Sequence, residues 1–257
     1  MNRKAILIES SNVKGQTDLP GARIDIENWD TFLRSDLGGA WKDSEIRILR
    51  KPFSSDVKTE LDVASDCYCF VAFSGHGADG SVVLNDILSS LSITEITPKG
   101  ERGTLIVDSC RGIAGARKYA FAKMEKFANQ SREEIIAFSA SRGETMALHE
   151  SRLWVLKSAG TTNSCFERWV AALKQSSTGI VQMLSCAKGQ GANEDPNSGG
   201  HYTSLLMQSA DLWSKRTTAE KIHNTRSAHD YAAANLPIQQ TPEYSPSMLY
   251  FPFAAKT

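Results

Sequence analysis

Two apolar runs in this chain each break off abruptly into residues that can do chemistry. One is Tyr68-Cys-Phe-Val-Ala-Phe-Ser-Gly-His76-Gly77, the other Thr104-Leu-Ile-Val-Asp-Ser-Cys110-Arg-Gly112. Both are short and rich in β-branched or aromatic residues, the signature of strands buried on both faces. In open α/β sheets, sites form just outside the carboxyl ends of such strands. The pattern therefore brings His76 and Cys110 to one sheet edge as a cysteine–histidine pair, a nucleophile beside its base. Their separation of 34 residues suits a connection that leaves one strand and returns parallel to it. Gly75 and Gly77 keep the backbone beside His76 open to a substrate. The backbone N–H groups of Gly77 and Cys110 are candidates for an oxyanion hole.

The remaining pattern extends this sheet. Lys4–Glu9 and Glu45–Leu49 read as strands before these two, and Ile135–Ser141 as a fifth strand after them. Between them, Ile26, Trp29 and Leu33 recur at helical spacing, closed by Gly38-Gly39. Ser54/Ser55 mark the cap of a second helix bearing Val57, Leu61 and Ala64. Ser81–Leu84 reads as the start of a hairpin. Downstream, Phe166–Leu173, His201–Trp213 and Thr218–Ala234 read as helices, Gly189–Gly200 as a loop and Met248–Phe253 as a final strand. Strands alternating with helices imply an α/β fold with a mostly parallel sheet covered on both faces.

Composition narrows the function. Lys plus Arg and Asp plus Glu are equal at 29 each, which gives no global reason to expect a nucleic-acid polymer as partner. The five cysteines (Cys67, Cys69, Cys110, Cys165, Cys186) are odd in number and lack a C-x-x-C pair, against a disulfide framework or structural zinc. The histidines form no metal-binding spacing, so no metal and no cofactor are expected. The N-terminal apolar run is too short for a signal peptide and no run approaches a membrane span. A cytoplasmic location is the expectation.

At Phe73-Ser-Gly-His-Gly77 and Asp108-Ser-Cys-Arg-Gly112 the sequence resembles the caspase-like cysteine peptidases: caspases, metacaspases and their bacterial relatives. Cys-Arg-Gly matches the caspase form and Asp-Ser-Cys the metacaspase and bacterial form. Supporting stretches are Leu19-Pro-Gly-Ala-Arg-Ile-Asp25, Phe138-Ser-Ala-Ser-Arg-Gly-Glu144, Gln240-Thr-Pro242 and Tyr250-Phe-Pro-Phe253. The resemblance implies the caspase–haemoglobinase fold, a central sheet of about six strands flanked by helices on both faces. The chain then divides, within one domain over 1–257, into a large-subunit-like part (1–112), a linker or processing region (113–132) and a small-subunit-like part (133–257). The helix after the fifth strand is either the one from Ser164 or the one from His201; with the second, the favoured placement, residues 145–200 become an insertion.

The resemblance also implies specificity. Metacaspase-like members carry Asp two residues before the cysteine, here Asp108, and cleave after Arg or Lys. Asp25 falls where the resemblance places a second acidic pocket residue. Two converging carboxylates would hold a guanidinium by charge-assisted bonds and reject an acidic side chain. The backbone of Ser139, Ala140 and Ser141 would bind an extended peptide by strand addition. Arg117, Lys118, Lys123, Lys126 and Arg132 are sites at which such an enzyme could cut itself. The expected partners are a protein substrate with a basic residue before the cut, an activating small molecule or partner protein, and a second copy in a homodimer. The context expected from bacterial relatives is an immune or cell-death pathway. The competing reading is a ligand- or partner-binding module on the same scaffold.

Overall fold

The two chemically marked runs become neighbouring strands of one sheet. The computed structural model describes residues 1–14, 16–78, 80–85, 89–112 and 162–257. The central strands are β1 (Arg3–Ser10), β2 (Ile46–Arg50), β3 (Tyr68–Gly75), β7 (Arg102–Asp108), β8 (Gly179–Leu184) and β12 (Glu243–Ser245). Their order is β12-β8-β7-β3-β1-β2. All neighbours are parallel except β12, which closes the edge antiparallel to β8. Small antiparallel sheets accompany the main one: β4 (Gly77–Ala78), β5 (Ser81–Val83) and β6 (Ser90–Ser92); β9 (Glu194–Asp195) with β10 (Gly199–Gly200); and β11 (Ile222–Asn224) with β13 (Pro252–Ala255).

Alternation along each strand feeds two cores, as expected for parallel strands buried on both faces. Leu7, Ala72, Ile106 and Met183 point to one face. There they meet helices α1 (Pro20–Arg34), α3 (Thr162–Gln175), α4 (His201–Ser214) and α5 (Thr225–Asn235). Ile8, Phe73, Leu105 and Val107 point to the other face, against Val57 and Leu61 of α2 (Ser54–Val63) and Val82 and Leu91 of the β4–β6 hairpins.

Helix α1 starts on Pro20, whose missing N–H costs nothing in a first turn. It buries Ile26, Trp29 and Leu33, the expected stripe, and adds Asp25 to the buried face. It ends at Ser35, earlier than the expected Gly38-Gly39, which instead form the following turn, with Gly39 at φ +102°. The serines expected to cap α2 do not: Phe53 holds the cap position, and its N–H donates to Asp56 Oδ2 at 2.9 Å. The expected helix Thr218–Ala234 begins only at Thr225, where Asn224 Oδ1 accepts from the Ser227 N–H at 2.8 Å and caps it. The closing strand runs Pro252–Ala255 rather than Met248–Phe253, and pairs with β11 outside the main sheet.

One expectation is corrected more deeply. The expected insertion over 145–200 contains core elements. Trp169 and Leu173 of α3 and Val181 and Met183 of β8 lie in the main core. Strand β8 pairs directly with β7, Ile106 opposite Met183. It is therefore a core neighbour of the cysteine strand. Ile135–Ser141 itself, with Ser139, Ala140 and Ser141 at its end, and the 113–132 region lie outside the described residues. Among the described residues no helix is long and apolar enough to cross a membrane.

Candidate active site

Register carries the candidate nucleophile and base to the same place. The last paired residues of β3 and β7 are Ser74 and Asp108, so His76 and Cys110 each follow two residues beyond adjacent strand ends. The two ends touch. A Cβ on Gly77 would lie 2.6 Å from Ser109 Oγ and 2.7 Å from the Cys110 carbonyl oxygen. No side chain fits there, which is why the residue after the histidine is glycine. The Gly77 backbone thus rests against the Cys110 peptide, where both oxyanion-hole candidates were expected.

His76 is buried and its Nε2 lies 2.7 Å from the Thr17 carbonyl oxygen. A carbonyl can only accept, so this bond places the ring proton on Nε2 and leaves Nδ1 as the basic nitrogen. Thr17 sits in the loop between β1 and α1. The half-buried Cys110 thiol lies 3.8 Å from the Ala192 carbonyl oxygen. Arg111, the next residue, is clamped. Its N–H donates to Gln190 O at 2.9 Å, its carbonyl accepts from the Gly189 N–H at 2.8 Å, and Nη1 bonds Cys186 O and Glu243. The loop from Ser185 to Asn193 therefore lines the cysteine.

Beside this pair lies a group of buried acids. Asp108, the last residue of β7, is 5% exposed; its Oδ2 accepts from the Thr203 N–H at 3.1 Å and Oγ1 at 2.8 Å. Asp25 of α1 is 1% exposed and accepts from Ser74 Oγ at 2.6 Å and the Gly200 N–H at 2.8 Å. Gly200 stands between them: a Cβ there would collide with Asp108 Oδ2 and lie 2.9 Å from Asp25 Oδ2. Gly199, at φ +99°, is packed as tightly against Asp25 Oδ1. The β9–β10 hairpin that supplies these glycines pairs Gly200 with Glu194. The Glu194 carboxylate accepts from the Gly21 and Ala22 N–H groups at the start of α1, where the helix dipole favours an anion.

The three acids disturb one another. Burial pushes the Asp25 carboxyl well above its ordinary value, and the charge of Asp108 pushes it further. Burial also raises Asp108, against the hydrogen bonds from Thr203. Glu194 is pushed up to about 7, by burial first and then by Asp108. His201, which begins α4 near Asp108 and Asp195, is pushed down by burial. Among the described residues, no ion pair joins Asp25, Asp108 or Glu194 to a Lys or Arg. No group of three His, Cys, Asp or Glu there has the arrangement of a metal site. Perturbed carboxylates gathered without a lysine or arginine are suited to receiving one.

Residues 2–254 match the family model for the caspase domain. The chain belongs to the caspase family. It is a cysteine endopeptidase by that membership. No curated protein sequence matches it. Among solved structures, caspase-1 from Spodoptera frugiperda superposes with a TM-score of 0.58 at 11% identity, covering 99% of this chain and 92% of that one. That likeness speaks for the caspase fold.

Within this caspase-family chain, five of the residues singled out from sequence converge: Cys110, His76, Gly77, Asp108 and Asp25. The expected peptide-binding residues Ser139, Ala140 and Ser141 lie outside the described residues, as do the basic residues Arg117, Lys118, Lys123, Lys126 and Arg132. The backbone that flanks Cys110 among the described residues is that of Ser185–Asn193, which follows β8. Strand β8, which leads into that loop, pairs with β7 along this edge of the sheet. Sequence reasoning missed Thr17, Ala192 and Glu194. Thr17 and Ala192 act through main-chain carbonyls, which side-chain identity does not mark. Glu194 sits in a Gly/Asn/Asp/Pro-rich stretch that reads as a loop. Its one signal is the Gly199-Gly200 pair just before a helix.

Proposed function

We propose that the protein cleaves polypeptides after Arg or Lys, with Cys110 as nucleophile, His76 as base and Asp25, Asp108 and Glu194 as the pocket for the basic side chain. The observation that carries this reading is the cluster of three acids beside the cysteine, with raised pKa values and no lysine or arginine partner among the described residues. A guanidinium or ammonium entering the cluster would supply the missing counter-charge and draw all three back to their ionised forms. An aspartate entering would bring no counter-charge and would push the three carboxyls up further.

In this reading His76 Nδ1 takes the proton from Cys110 Sγ, while the Thr17 carbonyl holds the ring in the required tautomer. The thiolate attacks the carbonyl carbon of the basic residue. The carbonyl oxygen turns toward the N–H groups at Gly77 and Cys110. His76 then returns the proton to the leaving amine, and water hydrolyses the acyl-enzyme. The loop ending at Asn193 lines Cys110 and would lie along an extended peptide, which the backbone of Ser139, Ala140 and Ser141 would also hold by strand addition. The same specificity makes Arg117, Lys118, Lys123, Lys126 and Arg132 sites of self-cleavage.

Two assays test this. Fluorogenic tetrapeptides differing only in the residue before the cut are expected to be turned over with Arg or Lys and refused with Asp; preference for Asp would sink the pocket assignment. Mass spectrometry of the purified chain is expected to find fragments in the wild type and an intact Cys110→Ala protein.

A further inference from the structure

Gln240 lies between α5 and β12, remote in sequence from every site residue, yet its side chain is 2% exposed. Its carboxamide spans two pieces of backbone. Oε1 accepts from the Asn193 N–H at 3.1 Å, and Nε2 donates to the Ser185 carbonyl at 2.9 Å. These are the two ends of the loop that lines Cys110. Ser185 is itself fixed to the cysteine strand: its N–H donates to Val107 O at 2.9 Å, and its Oγ accepts from the Ser109 N–H at 3.3 Å. At the other end, Ala192 O lies 3.8 Å from Cys110 Sγ. Asn193 O accepts from the His201 N–H, next to Gly200 between the two aspartates. A closed ring results: Cys110, Ser109, Ser185, Gln240, Asn193, Ala192 and back to Cys110.

Next to it, Gln190 Oε1 accepts from the Thr241 and Ala187 N–H groups at 2.8 and 3.2 Å. The loop is thus tied internally and to the segment that carries Gln240. Nothing in this geometry requires glutamine for the core, because both partners are main-chain groups at the cleft rather than packing surface. A buried amide that satisfies one donor and one acceptor holds them at a fixed separation.

We infer that Gln240 is a positioning residue that sets the register of the Ala192–Asn193 backbone against Cys110, and so governs how an extended peptide, rather than its basic side chain alone, is engaged. The inference rests on the function proposed above. Among the described residues the Gln240 carboxamide bonds Asn193 and Ser185 and neither the acids nor His76, so it acts on the peptide strand and leaves the pocket and the thiol chemistry in place.

The test compares substrates of different length. Wild type, Gln240→Met and Gln240→Glu are assayed with an acetyl-arginyl fluorogenic amide and with a tetrapeptide ending in the same arginine. Methionine keeps the volume and removes both hydrogen bonds; glutamate keeps the acceptor for Asn193 and loses the donor to Ser185. With Met, KM for the tetrapeptide is expected to rise roughly tenfold, the worth of one or two hydrogen bonds, while kcat/KM for the single-residue amide stays within about twofold. With Glu the tetrapeptide penalty is expected to be smaller in the same direction. If Met does not fold, Glu is read in the same way. Equal losses on both substrates, or no loss on either, overturn the inference. A wild type that cleaves neither substrate overturns the proposed function, and this inference with it. A wild type that cleaves both while the variants lose them equally overturns the inference alone.

Discussion

The two halves of the site are built in opposite ways. The nucleophile half rests on main chain: adjacent strand ends, a glycine pressed against the Cys110 peptide, and a carbonyl holding His76 Nε2. The acidic half rests on side chains drawn from α1, β7 and a hairpin, buried against their own electrostatic interest. Under the proposed function, a cation entering the second half would offset the burial of its acids, which have no lysine or arginine partner among the described residues.

That contrast breaks most sharply at the first half. Cys110→Ala is expected to abolish peptide hydrolysis, and His76→Ala to lower kcat by on the order of 10²–10⁴-fold, both read with arginyl tetrapeptides. Neither should move the thermal midpoint much, because these side chains sit at the cleft. A large loss of folding in either would mean that the nucleophile half is structural.

In the second half, Asp108→Asn is expected to cost on the order of 10²–10³-fold in kcat/KM for an arginyl substrate, the range for breaking a buried charged contact. Hydrolysis of a substrate with a neutral residue at that position should change little. A parallel loss on both substrates would move Asp108 out of the pocket and into the support of the cysteine strand.

Glu194→Gln sharpens the comparison through pH. The folded protein raises this carboxyl from 4.5 to about 7. Between those values the folded state holds a proton that the unfolded state has released, so this contribution to stability is complete below about 4.5 and lost as pH rises through 7. The glutamine variant lacks that slope. Its thermal midpoint is expected to match wild type at pH 4 and to exceed it at pH 8 by on the order of 2–4 °C, while kcat/KM for arginyl substrates falls roughly tenfold. A variant less stable than wild type at pH 8 would show that Glu194 serves the helix start alone.

The smallest effect is expected at Arg111→Lys, which loses the planar clamp on Cys186 O and Glu243. We expect kcat to fall about three- to tenfold, one hydrogen bond's worth, with the ratio of Arg to Lys cleavage unchanged. A shift in that ratio would join the two halves.

The same contrast decides what the sequence made legible. Strands β3 and β7 stand out because doubly buried strands are nearly continuous apolar runs, and their polar endings locate His76 and Cys110. Strand β8 hides because Gln182 interrupts its run and bonds Thr97 Oγ1 across the sheet edge, so a core strand reads as part of an insertion. Asp108 and Asp25 are both visible as pocket residues only through a family resemblance, because an acid after a strand reads as a turn cap and a lone acid on an amphipathic helix looks solvated. Glu194 and Gln240 depend on contacts across 172 and 47 residues, to Ala22 and Asn193, which no local pattern encodes. Main-chain carbonyls such as Thr17 O leave no trace in side-chain identity.

The proposed function holds that the acids Asp25, Asp108 and Glu194 select a positive side chain. Its most direct measurement compares two tetrapeptide substrates that differ only in arginine versus citrulline before the cut. They match in shape and hydrogen-bonding length and differ in charge. Wild type is expected to prefer arginine by on the order of 10²-fold or more in kcat/KM, and Asp108→Asn to collapse most of that preference. Equal hydrolysis of the two substrates by the wild type would contradict it.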